Sequence, residues 1–211
     1  MNSEFWHQKW AKSEIGFHQN KPNPLLVDNL NKLNVQAGNR VLLPLCGKTL
    51  DIGWLLSNGY QVVGAELSGL AIEQLFNELG LSPEITECGE LLRYSANNID
   101  IFVGDIFDLS SELIGEVDAV YDRAALVALP DGIRKRYSKH LVDITGAAQQ
   151  LLITFEYDQS LINGPPFSIS TTEVNQHYRD TYNLLLVDSK SVLGGLKGVS
   201  AATEHIWLLT S

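Results

Sequence analysis

Four side chains stand where chemistry can be done. Glu66 follows the apolar run Val62–Ala65, Asp105 follows Ile99–Val103, and the pair Asp122-Arg123 follows Val117–Tyr121. Short apolar runs bounded by turn signals read as buried strands. Each polar group then stands at a strand's carboxyl end, the side on which open α/β sheets bind ligands. An acidic residue about 20 positions beyond the first turn is placed to accept hydrogen bonds from ribose hydroxyls. Glu66 holds that place behind the turn at Leu45–Gly47. Its plainer reading is a helix N-terminal charge beside Ser68. Asp105 can equally cap the next segment, and Ile106 can be an adenine wall or plain core. Arg123 can orient an anionic or thiolate nucleophile, and with Asp122 it can form a salt bridge that only holds the loop. Asp122 is read as orienting Arg123 rather than as removing a proton.

The first turn, PLCGKTLD, narrows the ligand. GKT is half of a phosphate-binding loop, but the full motif needs a second glycine at position 42, where Leu42 stands. Nor is GxGxxG present, since Gly47 is alone. A pyrophosphate needs the close backbone approach that those glycines allow. An adenosyl ligand without phosphates does not, which points to S-adenosyl-L-methionine rather than a dinucleotide. A serine hydrolase would want GxSxG after a strand, and the chain has none. The five histidines are scattered. Cys46 and Cys88 have no CxxC spacing and no histidine at ligand spacing, so no metal is expected.

The elements that must position these groups follow from the apolar pattern. Val41–Leu45 reads as the first strand, Thr49–Asn58 as a helix, and Val62–Ala65 as the second strand. A helix starting at Ser68 or Gly69 buries Leu70, Ile72, Leu75, Phe76 and Leu79. Residues 84–97 read as irregular. Strands are expected at Ile99–Val103, Val117–Tyr121 and Gln150–Tyr157. Asp131 is expected to cap a helix to about Ile144, and Thr171 one to Tyr182. Leu184–Lys190 and His205–Thr210 read as an antiparallel pair on the sheet edge. The result is one domain over 1–211, an α/β fold with a doubly wound, mostly parallel sheet and an antiparallel terminal strand. Residues 1–34 precede it as an arm. Trp6 and Trp10 share a helical face there, either packed on the sheet or closing as a lid. Aromatic groups suit a cationic, adenine-bearing ligand through stacking and cation–π attraction.

A net charge of −10 disfavours nucleic acid, which needs clustered Lys and Arg. No window approaches the roughly 20 apolar residues of a membrane span. MNSEFWHQKW lacks a signal-peptide pattern, and two lone thiols suit a cytoplasmic protein.

Taken together, the chain resembles the thiopurine S-methyltransferase family, in its bacterial form. The matching stretches are FWHQKW, IGFHQ, RVLLPLCGKTLD, VVGAELS, GDIFDL, VYDRAALVAL, GPPFS and IWLLT. The resemblance implies a seven-stranded, Rossmann-like class I S-adenosylmethionine-dependent methyltransferase acting as a monomer. It implies cofactor contacts at Trp10, Leu45, Glu66 and Arg123, with Asp105 and Ile106 flanking the adenine. It places Phe17 between cofactor and substrate and Arg123 also beside the acceptor. The acceptor it implies is a small soft nucleophile: a thiopurine or other aromatic thiol, or a selenium or tellurium species. Residues 190–204 are mostly Gly, Ala and Ser where the family supplies polar or charged groups, so a less charged acceptor surround is expected. Two other readings are a non-catalytic S-adenosylmethionine-binding protein and a nicotinamide-dependent oxidoreductase on the same fold.

Overall fold

The computed structural model describes residues 3–16 and 18–211. Helices α1 (Ser3–Ala11) and α2 (Pro24–Asn29), with a tight helical turn over Leu30–Leu33, precede the sheet. There follow β1 (Arg40–Pro44), α3 (Leu50–Ser57), β2 (Gln61–Glu66), α4 (Gly69–Leu79), β3 (Glu84–Cys88), β4 (Leu91–Ala96) and β5 (Ile99–Val103). The second half holds α5 (Ser111–Ile114), β6 (Ala119–Arg123), α6 (Asp131–Thr145), β7 (Gln149–Tyr157), α7 (Thr171–Tyr178), β8 (Asn183–Ser191) and β9 (Ala202–Thr210).

The strands form one sheet in the order β3-β4-β5-β2-β1-β6-β7-β9-β8. Strands β5, β2, β1, β6 and β7 run parallel. The sheet grows from β1 to β2 and β5 on one side, and to β6 and β7 on the other. That reversal opens a crevice at the carboxyl ends of β1 and β6. Side chains alternate between two buried faces. Leu42, Val63, Phe102, Val120 and Leu152 pack with Tyr137 and Leu141 of α6 and Tyr178 of α7. Val41, Leu43, Val62, Ile101 and Tyr121 pack with α3, α4 and the leucines of α2 and its following turn.

The expected seven strands are β5, β2, β1, β6, β7, β9 and β8. Two more, β3 and β4, form an antiparallel hairpin beside β5 within the stretch that reads as irregular. Most of β3 is exposed on both faces, so no period-two pattern marks it. The last two strands are indeed antiparallel, with β9 pairing to both β7 and β8, so β8 is the outer strand. Two caps also differ. Ser170, not Thr171, caps α7 by accepting the Glu173 N–H, and α7 stops at Tyr178. Asp131 is the first residue of α6, after Pro130.

The arm divides into two parts. Leu26, Leu30 and Leu33 are fully buried under the sheet, each contributing on the order of 1.5–3 kcal/mol by leaving water. Helix α1 buries Trp10, half-buries Phe5, Trp6 and Lys9, and exposes the rest of its described side chains. Among the described residues, no helix is long and apolar enough to cross a membrane.

At the sheet end opposite the crevice, Asp100 gathers the hairpin. It accepts hydrogen bonds from Arg40, Arg93 and Ser95 at 2.7–3.0 Å. Burial alone would raise its pKa, but the Ser95, Arg93 and Arg40 contacts outweigh it and hold the carboxyl below its usual range. A lowered folded pKa contributes stability above the unfolded value of about 3.9, lost as pH falls through the folded value. Asp100→Asn is therefore expected to lower the melting temperature at pH 7, with the gap to wild type closing in acid. A gap that stays constant between pH 7 and pH 3 would show that the ionised carboxylate is not what holds the hairpin.

Candidate active site

The crevice contains a cavity of about 610 Å³, within the range of pockets that enclose a small organic ligand. Its floor is the turn after β1. Leu45 has φ +47 and Gly47 φ +53. The Cys46 N–H bonds the Ala65 carbonyl at 2.9 Å, and Thr49 caps α3 by accepting the Asp51 N–H. The turn sits close to β2 because Gly64 has no side chain. A Cβ there would lie 3.0 Å from Cys46 Sγ and 2.6 Å from Ile101. Across the crevice Ala124, just past β6, has φ +63. Non-glycine residues in the left-handed region are strained and cluster at ligand sites. Leu45 and Ala124 place two of them on the cavity wall.

Glu66 is buried at the end of β2. Its Oε2 accepts the Gly47 N–H at 2.8 Å and its Oε1 the Ser68 N–H at 2.9 Å. Burial pushes its pKa up, opposed by the backbone N–H groups of Ser68, Gly47 and Leu67. Each carboxylate oxygen has two lone pairs, so both can accept a further bond from the cavity. Cys46 beside it is a free thiol, pushed up strongly by burial and by the Glu66 charge.

Asp51 is a member of the site that the sequence reading does not single out. Its Oδ1 accepts the Asn23 N–H at 2.6 Å and its Oδ2 the Tyr121 hydroxyl at 3.1 Å. It thereby joins the arm, α3 and β6 under the cavity. An acid set between the apolar residues Leu50 and Ile52 was the available signal. Burial first, and then the Asp51 charge, push the Tyr121 hydroxyl far up.

Phe5, Trp6 and Trp10 of α1 line the opposite wall, with Phe5 and Trp6 edge to face at 5.2 Å and Trp10 only 4% exposed. Lys9 pairs with Glu14 at 2.6 Å. His18 also lines the cavity, its pKa lowered by burial and then by the Lys48 charge.

Of the site residues read from sequence, Trp10, Leu45, Glu66 and Arg123 meet on this cavity. Phe17 lies outside the described residues. Asp105 and Ile106 do not line it. Asp105 caps the helical turn Ile106–Asp108 by accepting the Phe107 N–H at 3.1 Å, and Ile106 is core. Gly104, which precedes them, lies beside Glu66, its N–H bonding the Glu66 carbonyl at 2.9 Å. Asp122 is turned away, since neighbours on a strand face opposite sides. Its carboxylate accepts the Leu126 N–H at 3.0 Å and the Tyr137 hydroxyl at 2.8 Å. Asp122 thus holds the turn that carries Ala124 and Ala125, rather than orienting Arg123 as expected.

A doubly wound sheet with its ligand cavity at the β1–β6 switch is the architecture of class I S-adenosylmethionine-dependent methyltransferases. A solved 1,6-didemethyltoxoflavin-N1-methyltransferase from Burkholderia thailandensis, with bound S-adenosylhomocysteine, superposes with a TM-score of 0.65 at 16% identity, covering 99% of this chain and 87% of that one. In sequence, the chain is 52% identical over 210 residues to a thiopurine S-methyltransferase of Xanthobacter autotrophicus, covering 99% of each. It is 50% identical over 210 residues to one of Teredinibacter turnerae, covering 100% of this chain and 98% of the relative. The family model described as thiopurine S-methyltransferase matches residues 1–211. The chain belongs to the thiopurine S-methyltransferase family and is an S-adenosylmethionine-dependent methyltransferase. The cavity fits that cofactor: it offers a buried carboxylate with spare acceptor capacity for a diol and aromatic walls for a sulfonium.

Proposed function

We propose that the chain methylates the sulfur of thiopurines or related aromatic thiols, and small selenium or tellurium compounds, as a cytoplasmic monomer. The observation that carries this reading is the state of the cavity's carboxylates. Glu14 is paired with Lys9, Asp51 holds Asn23 and Tyr121, and Glu66 holds Gly47 and Ser68. Each is already engaged in hydrogen bonds or an ion pair, so among the described residues no cavity carboxylate stands unengaged as a dedicated base. An aromatic thiol is acidic enough to arrive as its own thiolate and needs no such base.

S-Adenosylmethionine supplies a methyl group already activated on a sulfonium. The protein's part is then position, charge and exclusion of water. Glu66 holds the ribose hydroxyls. Trp10, with Phe5 and Trp6, covers the cavity as the lid formed by α1. Arg123, at the end of β6, favours the anionic acceptor electrostatically. Phe17 is assigned to the boundary between cofactor and acceptor.

Calorimetric titration with S-adenosylmethionine and S-adenosylhomocysteine, with and without an aromatic thiol, tests this reading. Micromolar binding of both, followed by turnover of a thiopurine, is the expected result. Folded protein that methylates no thiol, selenium or tellurium acceptor would overturn the acceptor assignment.

A further inference from the structure

The end of the cavity away from Glu66 is walled by Val127 and Ala128 after β6, Phe155 of β7 and the Gly164–Pro166 loop. Leu196 and Lys197, from the loop between β8 and β9, complete it. The composition of 190–204 suggests a surround poor in charge, yet this loop delivers a cation to the acceptor end.

The delivery is built into the loop. The Leu196 N–H bonds the Ser200 carbonyl at 2.7 Å, and the Val199 N–H bonds the Leu196 carbonyl at 3.0 Å, closing a tight turn. Leu196 is buried with Tyr157, Ile162 and Ala202. Gly195 has φ +75, and a Cβ there would lie 2.6 Å from the Ser200 carbonyl oxygen, so the turn closes only around glycine. Lys197 follows this anchor with φ +52. Its Nζ donates to the Pro165 carbonyl at 2.8 Å across the cavity rim. Among the described residues it pairs with no carboxylate, and an ammonium bound to one carbonyl has two further donors to offer. The other lysines on the cavity, Lys9 and Lys48, are each paired with a glutamate. The acids that line the cavity among the described residues, Glu14, Asp51 and Glu66, have partners of their own, and none pairs with Lys197. In a chain of net charge −10, this is a local exception.

We propose that Lys197 is a specificity-determining residue, selecting acceptors that carry an anionic group, such as a carboxylate, beside the soft nucleophile. The inference rests on the methyltransferase reading above and deepens it. The test uses the full chain with two thiols, 4-mercaptobenzoate and the neutral 4-methylbenzenethiol, each compared between wild type and variants so that their intrinsic reactivities cancel. Lys197→Met is expected to lower the ratio of kcat/KM for the benzoate over the neutral thiol by roughly two- to fivefold, the scale of an exposed charge pair. The loss is expected in KM rather than kcat. Lys197→Arg should keep the ratio, Lys197→Glu should lower it further, and added salt should reduce it for wild type and Lys197→Arg but not for Lys197→Met. An unchanged ratio in Lys197→Met, or an equal loss on both thiols, overturns the inference while leaving the methyltransferase reading in place. No turnover of either thiol by wild type overturns the assignment to aromatic thiols and the inference with it.

Discussion

Replacing Asp122 with alanine is expected to destabilise the protein by about 2–5 kcal/mol, the sum for two buried hydrogen-bonding groups left without a partner. Those groups are the Leu126 N–H and the Tyr137 hydroxyl. Both residues are fully buried in the core, so bulk water does not reach them to replace the lost acceptor. The charge of Asp122 adds a pH signature. Its pKa is raised from 3.8 to about 6, first by burial, against the hydrogen bonds of Leu126, Tyr137 and Ala125. A raised folded pKa means that the carboxyl favours the fold when protonated. That contribution is complete below the unfolded value and is lost as pH rises through about 6. Asp122→Asn keeps an acceptor for Leu126 and carries no charge. Wild type should therefore lose ground to Asp122→Asn between pH 4 and pH 7, by on the order of 3 kcal/mol for a shift of about two units. Denaturant midpoints at the two pH values measure this. A wild-type-to-Asn difference that does not move with pH would mean that Asp122 stays ionised without penalty.

The second large effect falls on binding. Glu66→Ala is expected to weaken S-adenosylmethionine by about 1–3 kcal/mol, or roughly 5- to 150-fold. Two losses combine. The ribose hydroxyls lose their acceptor, and the Gly47 and Ser68 N–H groups lose theirs, which loosens the turn on which the cofactor rests. Glu66→Gln does not rescue this, because its amide nitrogen would face one of those donors with another donor. Titration calorimetry on folded variants reads the effect directly. Cofactor affinity unchanged in both variants would remove Glu66 from the ribose role.

Some of this was legible in the chain itself. The apolar runs and their breakers placed β1, β2, β5, β6 and β7 and the residues at their ends, because buried parallel strands must be apolar throughout. The single glycine in PLCGKTLD set aside phosphate ligands, because backbone approach to a pyrophosphate needs more than one. Glu66 followed from chain distance alone. Tertiary structure decided what depends on facing and on distant contact. Asp122 and Arg123 are neighbours in sequence but face opposite sides of β6, so only one reaches the cavity. Most of β3 is exposed on both faces and leaves no periodic trace. Asp51 joins the site only because Asn23 and Tyr121, 28 and 70 residues away, converge on it. Lys197 lies in a stretch of small residues, and only the closed turn anchored by Leu196 carries its ammonium to Pro165. Local pattern records whether a residue is buried. Which groups meet is set by chain closure over tens of residues, and that exists only once the sheet is assembled.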